Sequence, residues 1–130
     1  MAAVMFSLGC GNKEESREDL QSELVQSISL ASETETFIGY MRQGRSTYPF
    51  ASGHLQYLLN EVNRNAQELS SLKASPDLTY AVNVDRVQLN LLAAEIEKAS
   101  RSLREPKVLA DSEQQIRRIR MTLVQANSSL

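Results

Sequence analysis

Apolar positions recur along most of the chain at alternating steps of three and four, the spacing of an α-helix with one buried side. The pattern is densest from Val82 to Leu103, where Leu89, Leu92, Ile96, Ala99 and Leu103 form an arc that also takes in Val82 and Ala93. Val84, Val87, Leu91 and Ala94 form a second arc on the same helix, set apart by Gln88 and Glu95. A helix apolar around so much of its girth needs neighbours on several sides, so the rest of the chain is expected to pack around this segment. Where Gln88 and Glu95 divide the arcs, the second is left near the surface as a partner site or dimer seam. Where the arcs merge, those two side chains lie along the core edge and only Arg86, Asn90, Glu97 and Arg101 face water.

Three more amphipathic segments are predicted around it. The first runs from Ser16, an N-cap residue with Asp19 three positions on, to about Arg42, with Gly44 suited to end it. Its inner stripe is Leu20, Leu24, Ile28, Ala31, Ile38 and Met41, helped by Val25 and Phe37. Ser27 and Thr34 interrupt it and make it the weakest packing face. Residues 43–47 read as a turn, and Pro49 suits the first turn of a second helix reaching about Lys73. Leu55, Leu58, Val62, Leu69 and Leu72 form its seam, with Asn65 as the polar member and Ala66 beside it as an alternative core residue.

Ser75-Pro76-Asp77 marks the start of the third helix, which closes near Arg104, and Glu105-Pro106 opens the fourth. Leu109, Ile116, Ile119, Leu123 and Ala126 form the fourth seam around Ser112, and Asn127-Ser128-Ser129 is expected to fray. Joints of roughly two to five residues favour antiparallel neighbours. The expected fold is all-α: an antiparallel up-down-up-down four-helix bundle with coiled-coil-like seams over residues 16–130, behind a flexible N-terminus, 1–15. The alternative is a pair of helical hairpins that meet on dimerisation.

Composition agrees with long helices: 130 residues hold only five Gly and three Pro and no Trp. A formal net charge of −2 offers no general attraction to nucleic acid, which is set aside as a partner. The acidic run Glu14, Glu15, Glu18, Asp19 and Glu23 suits the positive end of the first helix. The basic set Arg101, Arg104, Lys107, Arg117, Arg118 and Arg120 is expected to offset it where helices one and four adjoin.

Cys10 is the only cysteine, which excludes an intramolecular disulfide and a cysteine-based zinc cluster. Apolar residues precede it and Gly11-Asn12-Lys13-Glu14-Glu15 turns polar directly after it. Ser7-Leu8-Gly9-Cys10 resembles the end of a bacterial lipoprotein signal, although Ser7 stands where an aliphatic residue is usual. The resemblance implies lipidation of Cys10, a membrane anchor and a place in the bacterial cell envelope facing the periplasm. No Lys or Arg precedes the apolar run, which points to a start upstream of Met1. The other address is the cytoplasm, with Cys10 an ordinary thiol. No run of eighteen apolar residues exists, so association with a membrane would come through the N-terminus.

No motif for nucleophilic, phosphate-binding or zinc-hydrolytic chemistry is present, so a non-enzymatic role is expected, with no small-molecule substrate and no cofactor. The one histidine, His54, rules out multi-histidine metal sites; with Met41, placed at the same end of an antiparallel bundle, it leaves a haem-binding bundle as an alternative. Tyr40, Tyr48, Phe50 and Tyr57 gather around the first turn, and aromatics are enriched in binding hot spots. The candidate partner-binding residues are therefore Tyr48, Phe50 and Tyr57 together with Val84, Val87, Leu91 and Ala94, for a protein partner or a second copy.

Overall fold

The first helix, α1 (Ala2–Arg42), ends on Gly44, whose positive φ of 70° is the left-handed conformation that a Cβ disfavours. There the Gly44 N–H donates to the Met41 carbonyl and the Arg45 N–H to the Tyr40 carbonyl, each at 3.0 Å. This paired closure satisfies carbonyls that the helix end leaves free. The second helix, α2 (Tyr48–Ser70), follows at once, with the Thr47 hydroxyl accepting from the Phe50 N–H and Pro49 in the first turn. A single 3-10 turn, Pro76–Leu78, leads into α3 (Thr79–Ser100), and α4 (Pro106–Ser128) completes an all-α four-helix bundle. The computed structural model describes the backbone from Ala2 and the side chains from Ser16 onward.

Cross-helix contacts fix the direction of each helix. The Ser16 hydroxyl donates to the Lys73 carbonyl at 2.8 Å, and Arg17 reaches the Leu130 carbonyl at 2.9 Å and the Asp77 carboxylate at 3.5 Å. Residues near Ser16 thus lie beside the end of α2, the end of α4 and the start of α3. At the other end Arg42 pairs with Glu113. The arrangement is up-down-up-down: α1 packs on α2 and α4, α3 packs on the same two, and α1 meets α3 across the closer diagonal.

The seams interlock in the centre. Leu20, Leu24, Ala31 and Ile38 of α1 meet Leu55, Leu58, Val62 and Leu69 of α2, with Leu89, Leu92, Ile96 and Ala99 of α3 and Leu109, Ile116, Ile119 and Leu123 of α4. All of these are buried.

Several boundaries and faces differ from expectation. Ser16 does not cap a helix: α1 is continuous through it, and its hydroxyl serves the chain beyond α2. The signal-like segment, Cys10 and the expected tether 11–15 lie outside the residues whose side chains are described. Ser75 donates to the Asp77 carboxylate at 2.6 Å instead of capping backbone N–H groups, so Pro76 opens a 3-10 turn and α3 begins at Thr79. The end of α4 stays helical to Ser128, held by Ser128 and Ser129 hydroxyls on the Val124 and Gln125 carbonyls and by Arg17 on Leu130. Val25 points outward, 52% exposed, and Asn65 is the buried member of its pair while Ala66 is half-buried. Charge is offset between α1 and α4, but by other residues than the acidic run: Glu35 accepts from Arg117 and Arg120 at 3.3 and 3.2 Å.

Deleting apolar volume from the two seams that meet at the centre is expected to destabilise strongly. Leu58→Ala and Leu92→Ala should each lower the unfolding free energy by roughly 2 to 5 kcal/mol in urea denaturation. Val25→Ala should change it by less than about 0.5 kcal/mol, since Val25 adds little to the core.

Candidate functional site

Two features stand out from the seams, one inside the bundle and one on its surface. The inner one is a polar layer formed by one residue from each of three helices. Ser27 of α1 donates its hydroxyl to Asp85 Oδ1 of α3 at 2.7 Å, and the Ser27 oxygen accepts from Asn65 Nδ2 of α2 at 2.8 Å. Asp85 has no solvent exposure and its second oxygen, Oδ2, has no hydrogen-bond partner among the described residues. Burial pushes the Asp85 carboxyl up to about 6, against the lowering effect of the Ser27 hydrogen bond. Nearby, burial and then the charges of Glu68 and Asp85 push the Glu23 carboxyl up to about 7. The layer is therefore rich in acid and holds no Lys, Arg or His in hydrogen-bond or ion-pair contact with Asp85 among the described residues.

The outer feature is an aromatic face on the hairpin of α1 and α2. Phe50, His54 and Tyr57 succeed one another at steps of four and three, one side of a helix. Their rings stack: Phe50 on His54 at 5.9 Å and 6°, His54 on Tyr57 at 5.8 Å and 27°. Phe37 of α1 packs against the stack, 4.4 Å from His54 and 6.1 Å from Phe50 between centroids. Phe37 belongs to the core, whereas Phe50 is 62% exposed and Tyr57 52%. Antiparallel pairing across the short turn at Gly44 brings α1 and α2 level here, which is why residues far apart in sequence share one face.

Two grooves open beside the stack. One, about 340 Å³, is lined by Ser32, Glu33, Thr36, Phe37, Tyr40 and His54; the other, about 270 Å³, by Phe37, Tyr40, Arg45, Ser46 and Phe50. They share Phe37 and Tyr40. His54 Nε2 lies 3.7 Å from Glu33 Oε1, and Met41, half-buried against the core, lines neither groove.

Phe50 and Tyr57 are thus brought together, and His54 and Phe37 join them. Tyr48 is held elsewhere, with Arg104 4.6 Å over its ring at the end of α3. On α3, Val87 and Leu91 are exposed at 45% and 48%, Ala94 is exposed and Val84 half-buried, so the second arc forms a surface stripe beside half-buried Gln88 and Glu95. Sequence reasoning missed Asp85, although counting back from Leu89 by the seam's own step of four reaches it. Among the described residues, no group of three or more His, Cys, Asp or Glu is placed to hold a metal ion, and no helix is long and apolar enough to cross a membrane. Comparison with protein-family models, with curated proteins and with solved structures yields no match.

The polar layer sets the pH dependence of the fold. The Asp85 carboxyl is raised from 3.8 to about 6, so the folded state binds its proton more tightly than the unfolded state does. Stability from this group is fully present below its unfolded value and is lost as pH rises through its folded value. Between about pH 4 and pH 7.5 the loss should approach about 3 kcal/mol, and Glu23 adds to it with the same sign. Asp85→Asn should remove the Asp85 share of that slope and leave the Glu23 share in urea melts taken across the range. Stability that rises with pH in the parent protein would contradict the assignment.

Proposed function

We propose that this protein is a non-enzymatic interaction module: a helical bundle anchored through lipidated Cys10 in the bacterial cell envelope, facing the periplasm, that docks a protein partner on the aromatic face of α1 and α2. The observation that carries the docking reading is the stack of Phe50, His54 and Tyr57, most of it held out in water beside two grooves. Large, rigid, amphipathic rings give contact area at small entropic cost, and such anchors supply most of the binding energy at protein interfaces. Anchoring rests on Ser7-Leu8-Gly9-Cys10 alone.

A photo-crosslinking side chain at Tyr57 in cells should capture a discrete partner, with capture lost on Phe50→Ala and absent for the same side chain at Arg118. Equal capture at both positions would remove the docking reading. Lipidation is read from the intact mass of the mature chain and from its fractionation with membranes. An unmodified Cys10 in a soluble protein would leave a helical interaction protein of the cytoplasm.

A second surface is favoured by the exposure of Val87 and Leu91. If this stripe is a seam between two copies, Val87→Glu with Leu91→Lys should abolish self-association in sedimentation while the melt stays within about 1 kcal/mol of the parent, as half-exposed positions allow. Collapse of the fold would make the stripe part of the core. A parent that sediments as a monomer would remove the dimer reading.

A further inference from the structure

On the docking reading above, the groove between Glu33 and Tyr40 has the chemistry of a receptor for a positive charge. Its walls are the rings of Phe37, Tyr40 and His54, the carboxylate of Glu33 and the short polar chains Ser32 and Thr36, and no Lys or Arg among the described residues lines it. Aromatic faces carry negative potential, and a cation seated over them within about 6 Å is attracted. Glu33 supplies a full charge at the same place. It is half exposed, and its ion-pair neighbour among the described residues, His54, stands at 3.7 Å, beyond hydrogen-bond reach, so the carboxylate is open to a better donor.

The chain already shows which cation its rings accept. Arg45 lies 5.6 Å over the Tyr40 ring from the neighbouring groove, and Arg104 lies 4.6 Å over Tyr48. In both cases the occupant is a guanidinium, which stacks flat on a ring and offers paired N–H groups to a carboxylate, as a compact ammonium does not. We propose that this groove binds an arginine side chain of the docked protein partner, its guanidinium stacked on the exposed Tyr40 ring and hydrogen-bonded to Glu33. The exposed rings of Phe50 and Tyr57 then take apolar residues flanking that arginine.

The test is an NMR titration of the 15N-labelled full chain with N-acetyl-arginine amide, beside its neutral isostere N-acetyl-citrulline amide and N-acetyl-lysine amide. Arginine is expected to shift the backbone amides of Glu33, Thr36, Phe37, Tyr40 and His54, lysine to do so more weakly, and citrulline not at all. Glu33→Gln and Tyr40→Leu should each weaken arginine binding by about two- to fivefold. Equal shifts from citrulline, or shifts outside the groove only, overturn the proposal on the parent protein without any variant. Arginine binding indifferent to both substitutions overturns it as well. If these fail while cross-linking at Tyr57 persists, the docking face stands and its partner brings no arginine to this groove; if cross-linking fails and the shifts hold, the docking reading falls and the arginine site remains.

Discussion

A carboxylate shut away from water must be solvated by the protein, and at Asp85 that work falls on a single hydroxyl. Ser27 gives its proton to Oδ1, and its own oxygen is in turn supported by the Asn65 amide. Three helices are tied at one level by this chain of bonds. A slip of α2 by one heptad would set Leu58 or Leu72 where Asn65 stands, and a slip of α1 would replace Ser27 by Leu20 in one direction and by Thr34, which keeps a hydroxyl, in the other. Leucine cannot donate, and an unpaired buried acceptor loses its solvation outright. Apolar seams of similar Leu and Ile tolerate such slips; the polar layer resists those that bring leucine to it, the best-attested use of polar groups in helical seams.

Once register is set, the surface follows. Gly44 turns the chain within a few residues, α2 runs back along α1, and Phe37 and His54 meet at the same height. The two flanks of α1 then have different characters. Toward α4 it carries Glu35 and Arg42, each paired with charge on that helix, and Gly39, where a Cβ would stand 3.3 Å from the Glu113 carboxylate. Toward α2 it carries Phe37, Thr36 and Tyr40 beside the acid Glu33. The first flank is closed by ion pairs with α4, whereas on the second Glu33 has His54 of α2 only at 3.7 Å.

Most of this fold was legible in the alternation of threes and fours, because Leu, Ile and Ala at those steps have one way to leave water. The turn at Gly44 and the starts at Pro49 and Pro106 were legible too, since those residues restrict or extend backbone freedom in known ways. Asp85 was not, because an isolated acid among Val and Asn reads as a solvent-facing residue when each helix is considered alone. The signal lay across helices: Ser27, Asn65 and Asp85 each interrupt a seam, and antiparallel pairing sets them level. Ser16 and Ser75 misled for a related reason. A hydroxyl caps by accepting from backbone N–H groups at a helix start; α1 has no start at Ser16, and the bonds seen at Ser16 and Ser75 are donations, to the Lys73 carbonyl and the Asp77 carboxylate. Of the aromatic face, Phe50 and Tyr57 were legible by type and position, whereas the parts played by Phe37 and His54 depend on the turn that brings the helices level.

Phe37 and Phe50 have the same side chain, touch each other and differ in what explains them. Phe37 is nearly closed off from water and fills the edge of the core, so folding alone accounts for an aromatic there. Phe50 leaves more than half its surface in water, and its contacts with Phe37 and His54 are of the kind worth roughly 0.5 to 1.5 kcal/mol each. Tyr57 stands in the same position, one step further along the stack. A polar residue at either site would leave the seam of Leu55, Leu58 and Val62 untouched. The fold therefore does not require these rings, and their alignment with two grooves is the observation on which the docking proposal rests.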